Sequence, residues 1–353
     1  MKVAVVGAGV VGLATTAALL DAGADVTCFE AVEPMSQRST GASRIFRLAH
    51  PNPVLVELAA KSREAFGRWS ALAGRALVSE FGTVGTVVAG PQVSRWASAM
   101  AAAGAAHEVR DSVDESLALP VRSIDGPCLV DPAGGVVDAE GVAKFLLAAT
   151  RQVIVRDTVY RVEEGAHATV RTAAGSRGFD AVVIAAGLGT WQLALQVGLY
   201  TPSTVEHHVR LTFPIGRRRP AAERPPALID RSETWRPGFT TYQHLAAPGR
   251  WAVGAHFDPA AVAWEVGRER AVEVSRRRTV EYVRENLDGV AARAVDEVYC
   301  STATGWTDGY GIARTAHVIA LHGVNLFKLA PVIGQVLAGA ALDGSLPEST
   351  LTR

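Results

Sequence analysis

The chain is short of cysteine and carries no formal net charge. Cys28, Cys128 and Cys300 stand far apart among 353 residues, with no CxxC and no metal-type spacing to the nine histidines. Such a count argues against a disulfide framework or a metal site and suits a reducing compartment. The 35 basic side chains balance 35 acidic ones, so no overall field draws the chain to nucleic acid or to an anionic membrane. The basic runs RRRP at 217–220 and RRR at 276–278 read as solvated faces. No segment offers the roughly 18 uninterrupted apolar residues of a membrane span. The apolar opening MKVAVVGAGVVGLATTAALL looks superficially like a signal peptide. Its small residues, however, fall at fixed glycine positions, and Asp21, Asp25 and Glu30 follow without a cleavage site. The expectation is a soluble, cytoplasmic, monomeric protein with no metal, no membrane and no nucleic acid among its partners.

What is present is apolar sequence and glycine: 48% hydrophobic residues and 34 glycines, the composition of an α/β protein with a large core and many tight turns. KVAVVG predicts a buried strand, VVGLATTAALLDAG a helix ending at Gly23, and DVTCFE a second strand. Residues 52–73 have helical apolar spacing, with Pro53 suited to the first turn. Short strands and one alanine-rich helix are expected between 77 and 135, then a helix capped by Asp138. Strands follow at 153–155, 158–163 and 167–172. DAVVIAAG is another buried strand, running into Gly187 and Gly189. Segments 205–215 and 250–257 read as long strands, 264–287 as a charged helix, and the end as a loop entering a helix near Pro331. Nucleotide-type signatures thus lie at the start, middle and end of the chain. That pattern predicts two interleaved domains: 1–80, 136–204 and 300–353 binding the nucleotide, 81–135 and 205–299 binding a substrate.

Gly7-Ala8-Gly9-Val10-Val11-Gly12 fits GxGxxG, follows a predicted strand, opens a helix, and has Glu30 at the end of the next strand. Gly7 permits the tight turn, Gly9 lets a pyrophosphate approach the backbone, and Gly12 lets helix and strand pack closely. The helix N-terminus then holds the phosphate. Glu30 is placed to accept from a ribose diol. The motif alone does not separate FAD from NAD. A further stretch, STGASRIFRLAH at 39–50, sets Arg44 and Arg47 among apolar residues, and buried guanidiniums require partners.

Taken with DAVVIAAG and the returning C-terminal helix, these motifs resemble the D-amino-acid oxidase superfamily of FAD enzymes. They are most similar to the monomeric sarcosine oxidase and N-methyltryptophan oxidase group. The resemblance is spread over most of the chain and strongest at 1–50 and 180–191. It implies an α/β fold: a Rossmann-like FAD-binding domain with an interleaved antiparallel-sheet substrate domain that roofs the substrate cavity. Ser43-Arg44-Ile45-Phe46-Arg47 matches that family's TRxxR-like segment. By resemblance Ser43 and Arg44 lie against the flavin, and Arg47 grips a substrate carboxylate in a bidentate fork. Val159 joins the cofactor-binding set on the same ground. Lys328, in LFKLAP, matches the lysine of the family's GFKF segment, which assists carboxylate binding beside the flavin. Cys300 falls where covalent members carry the cysteine that forms a thioether with the flavin, although the spacing to Lys328 is shorter and the Asp308-Gly309 turn carries an inserted residue. A covalent link through Cys300 and an inert thiol both stay open.

Two departures bear on chemistry. The family's KLGxH-like strand, whose lysine activates oxygen, here reads Trp251-Ala252-Val253-Gly254-Ala255-His256. The histidine, a candidate catalytic or flavin-contacting group, is kept, and Ala252 replaces the lysine. The loop before Lys328 reads LHGVNLFK, with Asn325 at a histidine's place. The expected function is FAD-dependent oxidation of a carboxylate-bearing amine, by hydride transfer to the flavin, with Arg47, His256 and Lys328 in the active site. The alternatives are a flavin dehydrogenase serving an acceptor other than oxygen, a non-catalytic FAD-binding protein and, furthest out, an NAD enzyme.

Overall fold

The computed structural model describes the chain apart from residues 80–84, 202–203, 217–223, 305–308 and 347–353, and the side chains of 302–304. The basic run at 217–220 and Asp308 therefore lie outside the described residues. The chain forms two compact units: Met1–Thr40, Gly141–Thr204 and Ala303–Arg353 make one, Gly41–Glu140 and Val205–Thr302 the other. Each unit is assembled from separate stretches of the chain, and residues 41–80 have their contacts in the second unit.

The first unit is built on a six-stranded sheet in the order Gly309–Arg314, Val318–Val324, Ala181–Ile184, Lys2–Val6, Asp25–Glu30, Ile154–Arg156. Five strands are parallel and Gly309–Arg314 is an antiparallel edge. A parallel strand is covered on both faces, which is why Val3, Ala4 and Val5 form an unbroken apolar run with no exposure. The helix Val10–Asp21 is backed by the C-terminal helix Ala330–Leu342. Their approach depends on Gly334, where a Cβ would come within 2.7 Å of the Ala14 carbonyl carbon. A three-stranded antiparallel sheet, Arg161–Glu164, Ala168–Thr172 and Gly175–Phe179, shares an apolar cluster with the main sheet through Val6, Phe29, Val162, Val170, Phe179 and Ile184. Its third strand was not foreseen, since GSRGF has no alternating pattern.

An eight-stranded sheet dominates the second unit. Its order is Asp296–Thr304, Thr204–Pro214, Arg250–His256, Thr240–Ala247, Ala227–Asp230, Thr86–Ala89, Ile124–Asp131, Glu108–Val113. The strands pair antiparallel within Thr204–Pro214 to Ala227–Asp230 and within Thr86–Ala89 to Glu108–Val113, and one parallel pair joins the halves. Successive side chains point to opposite faces. Val209, Leu211, Phe213, Trp251, Val253 and Leu245 form a core with Tyr282 and Val283 of the helix Arg268–Asn286. The alternate residues, His208, Arg210, Ala252, Gly254, His256, Tyr242 and His244, therefore share the other face. Arg276, Arg277 and Arg278 pair with Glu297, Glu273 and Glu281, the solvated reading of that run. Among the described residues no helix is long and apolar enough to cross a membrane.

Candidate active site

In the first unit the glycine motif forms a cradle with an open floor. Gly7 has φ +105°, and a Cβ there would sit 2.5 Å from the Ala185 carbonyl oxygen. The second glycine-ended strand thus explains the first glycine. Gly12 has the tightest constraint, since a Cβ would fall 1.8 Å from the Gly7 carbonyl oxygen. Gly9 is different: a Cβ there would meet only the Ser39 hydroxyl, at 3.3 Å. No side chain of Gly9 caps the helix; the Val10 N–H donates to Ser39 Oγ at 3.0 Å. Helix-terminal N–H groups, positive dipole and open space above Gly9 fit a pyrophosphate, so the residues present suit FAD. Ser39 opens the quoted arginine segment, yet nothing in the sequence assigned it a role. Glu30 accepts from the N–H groups of Ala8, at 2.6 Å, and Val32, at 3.0 Å, which braces the loop around the cradle. The Val159 side chain belongs to the apolar cluster, which leaves its main chain for any cofactor contact. Lys328 is buried in the turn Leu326–Leu329, where its Nζ donates to the Asn325 carbonyl at 3.4 Å. Asn325 has φ +58°, a left-handed conformation that asparagine tolerates.

In the second unit the strand Ser43–Phe46 pairs antiparallel with Gly135–Asp138 and delivers Ser43 and Arg44 to the polar face of the large sheet. Ser43 is a hub. Its carbonyl accepts from Arg44 Nη1 at 2.7 Å and Arg210 Nη1 at 2.6 Å, while its hydroxyl is hydrogen-bonded to His244 Nε2 at 2.9 Å. Gly41, at φ +97°, lies between the two guanidiniums: a Cβ there would be 3.2 Å from Arg44 Nη1 and 3.2 Å from Arg210 Nη2. Burial, and then the charge of Arg210, pulls Arg44 down to about 10. Burial lowers Arg210 as well, against weaker support from Tyr242, Cys300 and Asp296. His244 is held well below its ordinary value by burial and then by both arginines, so its imidazole is neutral. Arg210 Nε and His244 Nδ1 are buried without a hydrogen-bond partner. Cys300 is half-buried and close enough to Arg44, Arg210 and Tyr242 to act on all three, whereas Cys28 and Cys128 are buried and raised by burial.

Gly254 sets the geometry beside this cluster. It pairs with Arg210 on one side and Tyr242 on the other. The Tyr242 ring lies across it, and a Cβ on Gly254 would overlap Cζ at 2.1 Å and Oη at 2.3 Å. The phenol thereby crosses one strand and hydrogen-bonds His208 Nε2 on the next. His256, exposed, stacks on His208 with centroids 5.1 Å apart. Ala252 is fully buried between Thr212 and His244.

Arg47 follows the strand Ser43–Phe46 directly. It is 4% exposed, donates to the Ala49 carbonyl and to His50 Nδ1, and stacks over Trp96 with its carbon 4.8 Å from the ring centroid. Asp131 braces its segment: one oxygen accepts from the Leu48 and Ala49 N–H groups, the other from those of Ala133 and Gly134. The structure thus brings Ser43, Arg44 and Cys300 together as a set, with His256 on the same sheet. It adds Arg210, Tyr242, His244 and His208, which the sequence reading passed over. The alternation in HHVRLTF marked His208 and Arg210 as one face of a strand, but nothing local tied that face to Ser43.

The family model described as FAD dependent oxidoreductase matches residues 2–340. No curated protein matches the sequence. Among solved structures, NikD, an unusual amino acid oxidase essential for nikkomycin biosynthesis, superposes with a TM-score of 0.79 at 20% identity, covering 98% of this chain and 95% of that one. L-proline dehydrogenase from P. horikoshii gives 0.78 at 16% identity, over 99% and 95%. Glycine oxidase from Geobacillus kaustophilus gives 0.72 at 18% identity, over 100% and 99%. At these identities the likeness speaks for the fold.

Proposed function

We propose that this chain, which belongs to the FAD-dependent oxidoreductase family, oxidises an amine that carries a carboxylate: an amino acid, an N-alkyl amino acid or a cyclic imino acid. The observation that carries the reading is the pair of half-buried Arg44 and buried Arg210, two like charges held side by side on the face of a sheet. Guanidiniums held this close favour negative charge beside them, which suits the site to an anionic reduced flavin and a carboxylate-bearing substrate. The resemblance of these solved structures, among them an amino acid oxidase, a proline dehydrogenase and a glycine oxidase, supports the amino acid class.

Bound FAD supplies the hydride acceptor. The chain's own part is orientation and charge. Arg47 and Lys328 are the buried cations assigned to the carboxylate, Arg47 with its plane fixed against Trp96. Ser43 and Arg44 are assigned to the flavin, as is the half-buried thiol of Cys300, either through a covalent link or as an inert neighbour. Gly7, Gly9, Gly12, Glu30 and the main chain at Val159 are assigned to the rest of the cofactor. His256, at the exposed end of its strand, is assigned to the mouth of the site.

A second reading of the electron exit rests on Ala252. An ammonium at that position would stabilise superoxide as it forms, and a buried methyl group does not. Electrons then leave to an acceptor other than oxygen, and the protein works as a dehydrogenase.

The test is an anaerobic titration of the purified protein with a panel of amino, N-alkylamino and imino acids, following the visible absorption of the flavin. Bleaching by one class supports the reading and names the substrate class. Admission of air then separates oxidase from dehydrogenase. A yellow protein that no amine bleaches would support a non-catalytic FAD-binding role, and a colourless protein that takes up no FAD would overturn the proposal.

A further inference from the structure

We propose that Tyr242 and His208, aligned across Gly254, form a proton relay that takes the proton from the substrate's ammonium nitrogen before oxidation. The inference rests on the amine reading above and deepens it by assigning the group that makes the amine neutral.

Geometry carries the assignment. Tyr242 and Arg210 stand in register on either side of Gly254, and the missing side chain of that glycine is filled by the phenol ring itself. Any residue with a Cβ at 254 would push the ring away, so the position is built to bring a hydroxyl on one strand to an imidazole two strands over. Tyr242 Oη is hydrogen-bonded to His208 Nε2; in the relay the hydroxyl donates, which leaves its lone pairs to accept from a second donor. His208 in turn stacks on exposed His256, which places the far end of the pair towards solvent.

The step balances without an oxidant. The N–H bond of the ammonium breaks and its proton goes to Tyr242 Oη. The Tyr242 O–H bond breaks and that proton goes to His208 Nε2, leaving an imidazolium that loses it to solvent. The substrate keeps the nitrogen lone pair, which an amine needs before its neighbouring C–H can leave as hydride.

Burial keeps the Tyr242 hydroxyl protonated until it receives a second proton, and the nearby guanidiniums act on the ammonium that delivers it. Burial raises the Tyr242 hydroxyl above its ordinary value, the arginines at 210 and 44 pull it down, and Cys300 pushes it up again. The groups facing the pair are Arg210 on the strand of His208, His244 on that of Tyr242, His256 on the strand between, Arg44 on Ser43–Phe46, and Cys300 and Asp296 on the far edge strand. An ammonium brought near two guanidiniums is disfavoured and loses its proton more readily. Tyr242 is therefore a catalytic residue, and His208 a positioning residue that acts through it.

The experiment is anaerobic stopped-flow reduction of the holoenzyme, from acid to neutral pH, by an amine that bleaches the wild type. The His208→Gln and Tyr242→Phe variants are compared at equal FAD content and melting temperature. Wild type should slow as pH falls and His208 protonates. His208→Gln should lose that histidine limb and drop about 10²-fold at its plateau, the usual worth of a positioned proton acceptor. An unchanged profile and rate in His208→Gln would overturn the relay while leaving the amine reading intact. Absence of bleaching in the wild type would instead sink the amine reading, and the relay with it. Gly254→Ala supplies a separate check. It should reproduce the loss seen in Tyr242→Ala and add nothing in that background, and an additive effect would refute the seating of the ring. Nitrogen NMR of the His208 ring should show Nε2 unprotonated at neutral pH, and a protonated Nε2 would reverse the hydrogen bond and refute the relay.

Discussion

Asp131 is the most exacting point at which to test the physical account of the second unit. The residue has no exposure, and its two oxygens serve two different stretches of chain. Leu48 and Ala49, beside Arg47, donate to one at 2.5 and 3.1 Å, and Ala133 and Gly134 donate to the other, both at 3.1 Å. Asparagine has the same shape but a single accepting oxygen. Asp131→Asn must therefore turn its NH2 towards one pair of N–H groups, leaving two buried donors facing a donor. Each unsatisfied buried group costs about 1–3 kcal/mol, so the substitution should cost about 2–6 kcal/mol with little change in volume. Urea unfolding measures it as a lowered midpoint at constant slope. Amide hydrogen exchange says which pair is abandoned: either Leu48 and Ala49 or Ala133 and Gly134 should lose protection, and the other pair should keep it. If the first pair is lost, the Arg47 segment loosens and the half-saturating substrate concentration rises as well. A loss below about 1 kcal/mol, with all four amides still protected, would refute the reasoning, because it would mean water already satisfies those donors.

Gly9→Ala should leave the apoprotein's melting temperature nearly unchanged, since the new methyl meets only Ser39 Oγ, yet cut FAD affinity by about tenfold or more as the pyrophosphate loses its approach; equal affinity would dismiss the cradle. Arg47→Ala should raise the substrate concentration needed for flavin reduction without lowering FAD content, and loss of FAD instead would move Arg47 out of the carboxylate role. His244 is neutral in the folded protein and ionises at its ordinary value of 6.5 when unfolded, so the unfolded chain binds the extra proton and stability falls as pH drops below 6.5. His244→Asn should flatten that fall by up to about 1.4 kcal/mol per pH unit, seen in urea midpoints across the acid range; an unchanged slope would show that His244 protonates in place. Cys300→Ser should release flavin into the supernatant on acid precipitation if the wild-type pellet is yellow, and a colourless wild-type pellet would rule out the thioether at once.

Much of the first unit follows from local sequence. A buried parallel strand needs an unbroken apolar run, a helix entering from it needs glycine where strand and helix touch, and both stand together in KVAVVGAGVVG. Gly12 and Gly334 are likewise small for a steric reason that admits few substitutes. The alternating strands at 204–214 and 250–256 were equally legible, because period-two patterning fixes which side chains share a face. Patterning does not fix what that face meets. Ser43 joins His244 across 201 residues and Arg210 across 167, and these contacts depend on strand order and register, which are set by packing rather than by neighbours in sequence. The same holds for the unit boundary at Gly41, where the contacts of residues 41–80 pass to the second unit. It holds for Gly254, a plain strand glycine until the ring of Tyr242 is found lying across it. Sequence determined many of the elements, their buried faces and the nucleotide cradle. Only the tertiary structure decided which cations, imidazoles and hydroxyl stand together, because they come from several strands far apart in sequence and none carries a local mark of its partner.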